Sequence, residues 1–143
     1  LLYVLKNRIF TYIQLPINIA DSYYFMKYRN KLKGKIIIAR SLVLQGTLLS
    51  IKINFKFKKQ ITNFRKCINT ISHENKISNE ELIYRYVFSL KNLNYALIGS
   101  INKENIKKII NYKKKGSLNN KLINKLNEIS AIKKNWSNPK KWN

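Results

Sequence analysis

Four consecutive apolar residues, Ile36-Ile37-Ile38-Ala39, stand between Gly34-Lys35 and Arg40-Ser41. A short run with no polar member reads as a strand buried on both faces, which is the habit of a parallel sheet. Parallel neighbours cannot be joined by a hairpin, so a strand of this kind demands helical crossovers on either side of it. The flanking sequence meets that demand. From Tyr12 to Asn18 the pattern alternates, with Ile13, Leu15 and Ile17 on one face and Tyr12, Gln14, Pro16 and Asn18 on the other, which predicts a strand with a polar inner face. Tyr95 to Ile98 predicts a third short strand.

Helical patterns fill the intervals. Leu1 to Leu5, followed by Lys6-Asn7-Arg8, reads as the last turns of a helix. Ser22 is placed to cap a helix over Tyr23 to Leu32, which closes at Lys33-Gly34 with basic residues in its last turn. A helix is expected over Ile61 to Ile71. Ser78-Asn79-Glu80-Glu81 has the form of a capping box ahead of Leu82, Ile83, Tyr86, Val87 and Leu90 at helical spacing. Asn102 can cap the helix carrying Ile106, Ile109 and Ile110, and a last helix shows Leu118, Leu122, Leu126 and Ile129 on one stripe. The order is helix end, β, α, β, α, α, β, α, α over a single domain spanning residues 1–143. Such alternation implies an α/β fold of three parallel strands with flanking helices, too few to close a barrel.

Charge and cysteine usage narrow the classes of function. The formal charge is +23, from 29 basic against 6 acidic side chains. A nucleic-acid-binding module is the obvious alternative, but Lys, Asn and Ile are over-used together on every polar face, with clusters only at Lys113 to Lys115 and Lys56 to Lys59. Composition bias explains that scatter better than a dedicated phosphate-tracking surface, so no specific nucleic-acid partner is expected. No apolar run has the length of a membrane span and no signal peptide is visible, so a cytoplasmic protein with no membrane partner is expected. The single Cys67 reads as a small core hydrophobe in a reducing compartment, and His73 as a surface histidine.

The strand ends hold the candidate chemistry. Arg40 follows four apolar residues and would stand at the mouth of the core, where an unpaired guanidinium is costly and an anion or carboxamide oxygen would satisfy it. Ser41 adds a small hydroxyl, and Gly46 permits close approach of the backbone. Gln14 and Asn18 carry amides that need partners if buried. Gly99 leads into a helix, which positions the amides around Ser100, Ile101 and Asn102 for a phosphate. From Gly46 to about Gln60 the sequence is irregular and basic, a candidate substrate or cofactor loop.

Four segments together go further: Gln14-Leu15-Pro16-Ile17-Asn18-Ile19-Ala20-Asp21, Ala39 to Leu49, Ala96-Leu97-Ile98-Gly99, and Trp136-Ser137-Asn138-Pro139-Lys140-Lys141-Trp142. In order and spacing this chain resembles the C-terminal half of the aldo/keto reductases, nearest to the bacterial branch often found with cell-surface polysaccharide biosynthesis. The resemblance implies the C-terminal part of a (β/α)8 TIM barrel, here strands six to eight, in an oxidoreductase that uses NADP, with NAD also open. It implies that Gln14 bonds the nicotinamide carboxamide and that Arg40, Ser41, Leu42 and Gly46 run under the ribose and pyrophosphate. Gly99, Ser100, Ile101 and Asn102 would hold the adenosine phosphate, with Asn105 near the adenine. The family's catalytic Asp, Tyr, Lys and His belong to the first half of the barrel, so this chain is expected to bring cofactor-binding strands and no catalytic tetrad, as a fragment of a carbonyl- or sugar-reducing enzyme or as an inactive remnant.

Overall fold

The computed structural model describes residues 1–50 and 56–142. Three strands, β1 (Tyr12–Pro16), β2 (Ile36–Arg40) and β3 (Tyr95–Ala96), form one sheet in the order β1-β2-β3, and both pairings are parallel. Gln14 stands beside Ile38, Pro16 beside Arg40, and Ile38 beside Tyr95 on its other side. The helices are α1 (Leu2–Lys6), α2 (Tyr23–Tyr28), α3 (Lys58–Glu74), α4 (Asn79–Phe88), α5 (Lys103–Lys114) and α6 (Asn120–Ser130), with two 3-10 turns at Asn135–Ser137 and Pro139–Lys141.

The periodicities of the sequence are realised, with shifts at the boundaries. β1 stops at Pro16 rather than Asn18, and α2 ends four residues before Leu32, after which the chain turns to Gly34 at φ 77°. The third strand pairs over only two residues, although the Leu97 amide still donates to the Ala39 carbonyl at 2.8 Å. The helix expected over 61–71 is longer at both ends. It buries Ile61, Ile68 and Ile71 on one stripe. Positions 51–55 of the expected loop lie outside the described residues.

β2 departs from expectation in an informative way. Ile37 and Ala39 are buried, but Ile36 and Ile38 are only half-buried and Arg40 is exposed. Among the described residues, its buried side chains lie on one face only. The covered face joins Ile13, Leu15, Ile37 and Ala39 to a core completed by Ile61, Leu82, Ile83, Val87 and Leu126. The opposite face carries Tyr12 and Tyr95, 64% and 61% exposed, beside Gln14 and Ile38. Because side chains alternate along a strand, the same pleat that buries Ile37 leaves Ile38 uncovered.

Polar ties hold the covering helices together. Ser78 caps α4 by accepting from the Glu81 amide at 3.1 Å, as its sequence predicts. The Glu81 carboxylate does not complete the box; it pairs with Arg85 at 2.8 Å and with Lys115 at 2.6 Å, joining α4 to the end of α5. Burial alone would raise the Glu81 carboxyl pKa, but the hydrogen bonds from Lys115 and Arg85 outweigh it and hold the group below the usual carboxylate range. Arg85 also donates to the carbonyls of Gly116 and Ser117, and so takes up orphan acceptors beyond α5.

Ser22 precedes α2, yet its side chain does not cap that helix. Its hydroxyl lies 2.6 Å from the Ser130 hydroxyl and 3.2 Å from that of Tyr86, in a buried cluster where Tyr86 also donates to Asn127 at 3.1 Å. The cluster links the start of α2 to the last turns of α4 and α6. Cys67 corrects a second expectation: it is exposed on α3 and belongs to no core. His73 is exposed as expected.

Candidate site at the C-terminal ends of the strands

β1 and β2 run parallel, so their C-terminal ends lie together and bring the two following loops into contact. Asn18 makes the connection. It is fully buried, its Oδ1 accepts from the amides of Ala20 and Asp21 at 2.9 Å each, and its Nδ2 donates to the Ser41 carbonyl at 3.1 Å. Its sequence position suggested the polar face of a strand; the structure makes it instead the clamp between the β1 and β2 loops. Every hydrogen-bonding demand of a buried amide is thereby nearly met.

After Arg40 the chain enters a compact series of turns with Ser41, Leu44, Gln45 and Gly46 at φ 58°, 48°, 54° and 79°. Three non-glycine residues in the left-handed region within five positions is a costly local backbone, of the kind found where a ligand-binding loop must hold one shape. Buried Leu42, Leu44 and Leu48 anchor it from below, and the Leu44 and Thr47 amides close the turns on Ser41 and Leu44. Gly46 is needed for its φ. A Cβ there would meet nothing within 4 Å, so the chain itself makes no close approach to this glycine.

Arg40 and Ser41 stand side by side at the mouth, with one guanidinium nitrogen 3.4 Å from the Ser41 hydroxyl. Gln14 lies on the open face and its carboxamide bonds no described residue. Leu42 is buried and supports the loop, so only its backbone can face a ligand.

The β3 end looks different. Gly99 has no positive φ and open space around it, and Ile101 is wholly exposed. Asn102 caps α5, accepting from the amides of Glu104 at 2.9 Å and Asn105 at 3.1 Å, while its own amide donates to the Ser100 hydroxyl. Those amides are taken by the cap and Glu104 adds a negative charge in the first turn, so the phosphate-ready helix start expected from the sequence is reduced to the amides of Ser100 and Ile101. Asn105 is exposed on α5 close by.

The carboxyl-terminal segment, whose stretch from Trp136 to Trp142 carries part of the family resemblance, closes the opposite side of the mouth. Trp136 is buried against Phe64 with ring centroids 5.0 Å apart, and the Trp142 indole donates to the Trp136 carbonyl at 2.7 Å. The Ser137 hydroxyl donates to Asp21 at 2.9 Å. Lys134 donates to the carbonyls of Ala20, Ile129 and Ile132, and its burial lowers the ammonium pKa against the opposing pull of Asp21. Between this segment, β1 and β2 lies a cavity of about 400 Å³. Among the described residues, no group of three His, Cys, Asp or Glu side chains could hold a metal ion, and no helix is long and apolar enough to cross a membrane.

A parallel three-stranded sheet with flanking helices, turn-rich strand ends and a closing tail matches part of a solved aldo-keto reductase barrel in fold. The chain is similar to the aldo-keto reductase AKR11C1 from Bacillus halodurans in its apo form, with a TM-score of 0.71, 15% identity, and coverage of 94% of this chain and 49% of that one. The holo form matches equally, at 0.71 and 15%, covering 94% and 48%. The chain thus spans about half the length of the solved structures it matches. No protein-family model and no curated protein matches the sequence. The likeness is one of fold, and lends nothing to a nucleic-acid-binding module.

Proposed function

We propose that this chain is the nicotinamide-binding half of an NAD(P)H-dependent carbonyl reductase of the aldo/keto reductase type. The observation that supports it most is the register: Gln14 and Arg40 lie on the same uncovered face of adjacent parallel strands, one short of the strand ends and one at them. A carboxamide without a partner among the described residues suits a nicotinamide amide, which can both donate to it and accept from it. Next to it the turns from Ser41 to Gly46 offer backbone to a ribose and pyrophosphate, and Leu42 holds that backbone from the core side. Gly99, Ser100, Ile101, Asn102 and Asn105 take the adenosine end, with the hydroxyl and amides of Ser100 and Ile101 carrying more of the work than the capped α5 turn.

The bound dinucleotide would supply the hydride. The chain's own part is to orient the nicotinamide through Gln14, to place a positive charge beside the transfer through Arg40, and to keep the pyrophosphate fixed through the 41–46 turns. None of the residues assigned here serves as the proton donor to the carbonyl. The substrate is a small carbonyl compound or sugar, the cofactor NADP or NAD, and the setting a reducing compartment such as the cytoplasm.

Fluorescence titration of the chain with NADPH and NADH tests this. Saturable binding is expected, weakened about tenfold by Arg40→Ala, in line with loss of a hydrogen bond to a charged group. Purified alone, the chain is expected to reduce no aldehyde with either cofactor. Absence of binding to both nucleotides, or turnover by the isolated chain, contradicts the proposal.

A further inference from the structure

The uncovered face of the sheet is a surface that the chain's excess of lysine does not reach. The strand register sets Tyr12, Gln14, Ile36, Ile38 and Tyr95 on this face, with Arg40 at its C-terminal rim. Charged residues make up 24% of the chain, yet among these six positions only the rim carries charge. The stretches that hold the strands show the same gap: no lysine or arginine occurs between Arg8 and Lys27, between Lys35 and Arg40, or between Lys91 and Lys103. Elsewhere exposed apolar residues stand among cations, as where Ile106 and Ile132 are followed directly by Lys107 and Lys133. Contiguous exposed apolar surface without charge marks a place of contact.

The area available fits a pair of such faces. Tyr12, Tyr95 and Leu97 are 64%, 61% and 49% exposed. With an aromatic side chain worth about 150–250 Å², these three and their half-buried neighbours offer on the order of 600 Å². Two copies joined through the face would bury about 1,200 Å², the lower end of the range for stable, specific interfaces. The face also suits itself. Two sheets pack face to face about 10 Å apart with their strands inclined by about 30°. A two-fold axis lying across the strands sets β2 against β2 in the reverse direction. Each Arg40 then comes over the Tyr12 end of the other copy, where a guanidinium is attracted to the ring, and the two guanidinia are kept at opposite ends. An acidic partner would be read by cations, of which this face has one, and a partner added to a strand edge would have no use for Tyr12 and Tyr95 pointing out of the sheet.

We propose that the uncovered sheet face is a self-association surface through which two copies of this chain pair face to face. The pairing draws nothing from the cofactor reading. It covers the face that carries Gln14 and Arg40, so pairing and nucleotide binding exclude each other. The charge of +23 on each copy opposes the pair, which makes it weak at low salt and monomeric in dilute solution.

Sedimentation equilibrium of the full chain without nucleotide, from about 1 to 200 µM and at about 50 and 500 mM sodium chloride, tests this; the screening length falls from about 14 to about 4 Å and so brackets the spacing of the two sheets. A monomer–dimer equilibrium is expected, at least about tenfold tighter at the higher salt. Tyr12→Lys combined with Tyr95→Lys should weaken it at least about tenfold there. Ile106→Lys combined with Ile110→Lys, an equal gain of charge at apolar residues exposed on α5, should change it less than about twofold. A monomer throughout, or equal weakening by the two double variants, overturns the proposal and leaves the face to a partner of different sequence. Pairing that weakens with salt overturns it as well, since that is the signature of bridging by a polyanion. Assembly that continues past two copies assigns the contact to the open edges of β1 and β3 and overturns the two-fold face. NADPH that dissociates the pair supports the shared face, whereas NADPH that binds with the pair intact moves the contact away from Gln14 and Arg40 and overturns it. Failure of NADPH to bind the dilute monomer counts against the cofactor reading alone. Circular dichroism checks that each variant is folded, and Tyr95→Ser against Ile110→Ser repeats the comparison should a double variant unfold.

Discussion

The two faces of the sheet are built from the same residue types and meet opposite surroundings. On one face Ile13, Leu15, Ile37 and Ala39 are buried under helices; on the other Ile36 and Ile38 are half-buried, and Tyr12 and Tyr95 are mostly exposed. The first face is a finished core, supplied with its own polar ties among α2, α4, α5 and α6. The second has the apolar content of a core and lacks the cover. Within a closed barrel this face would point inward, which accounts for isoleucine and tyrosine on a surface where an isolated domain would place charge. It also leaves two open strand edges, β1 and β3, each a template for pairing with another chain. The candidate cofactor residues Gln14 and Arg40 belong to this second face, so stability and proposed function are carried by opposite sides of three strands.

The largest separation between the faces is expected from a pair of adjacent residues in β2. Ile37→Ala removes a side chain 1% exposed and should cost about 2–5 kcal/mol, whereas Ile38→Ala, facing the open side, should cost well under about 1.5 kcal/mol in the isolated chain. Chemical denaturation of the two variants reads the difference, and equal losses would mean that the open face is covered in solution by something else, another copy of the chain included. The covering layer can next be probed through its ion pairs. Glu81→Gln should destabilise by about 1.5–3 kcal/mol near neutrality, the worth of hydrogen bonds to charged groups. Because the folded-state pKa of Glu81 is lowered, its contribution is complete above the ordinary carboxylate range and is lost as pH falls through the lowered folded value. The gap between the native chain and Glu81→Gln should therefore narrow on acidification, and a gap independent of pH would assign the role of Glu81 to packing. Smallest is Tyr86→Phe, which takes one hydroxyl from the Ser22, Ser130 and Asn127 cluster and should cost about 1 kcal/mol, since the two serines still bond each other. A thermal melt that did not move would show that the cluster is held by its serines alone.

Much of this architecture is readable along the chain because it depends on neighbours close in sequence. Alternation located β1, the unbroken apolar run located β2, and the Ser78 and Asn102 caps located the starts of α4 and α5, each through contacts two or three residues away. At the candidate site, Arg40 and Ser41 were legible as polar residues directly after a buried strand. Asn18 was not, since its partner Ser41 lies 23 residues further on, and an exposed or a buried amide reads the same in sequence. Ser22 failed for the same reason at greater range: its partners are 64 and 108 residues away, and a serine before a helix looks like a cap whether or not its hydroxyl turns inward. The cavity at the strand ends was illegible too, because Arg40 and Lys140 come to line it only when the tail folds back across the strand ends.

The amino-acid order by itself determined the sequence of elements, their periodicities and the α/β class, because hydrophobic spacing and capping are local and survive without any knowledge of the fold. Only the tertiary structure decided which sheet face is covered, which polar groups are consumed internally and which remain for a ligand. Those outcomes depend on the packing of segments up to 116 residues apart, as in the bond from Ser137 to Asp21, and such packing is set by the whole surface that helices and strands must share.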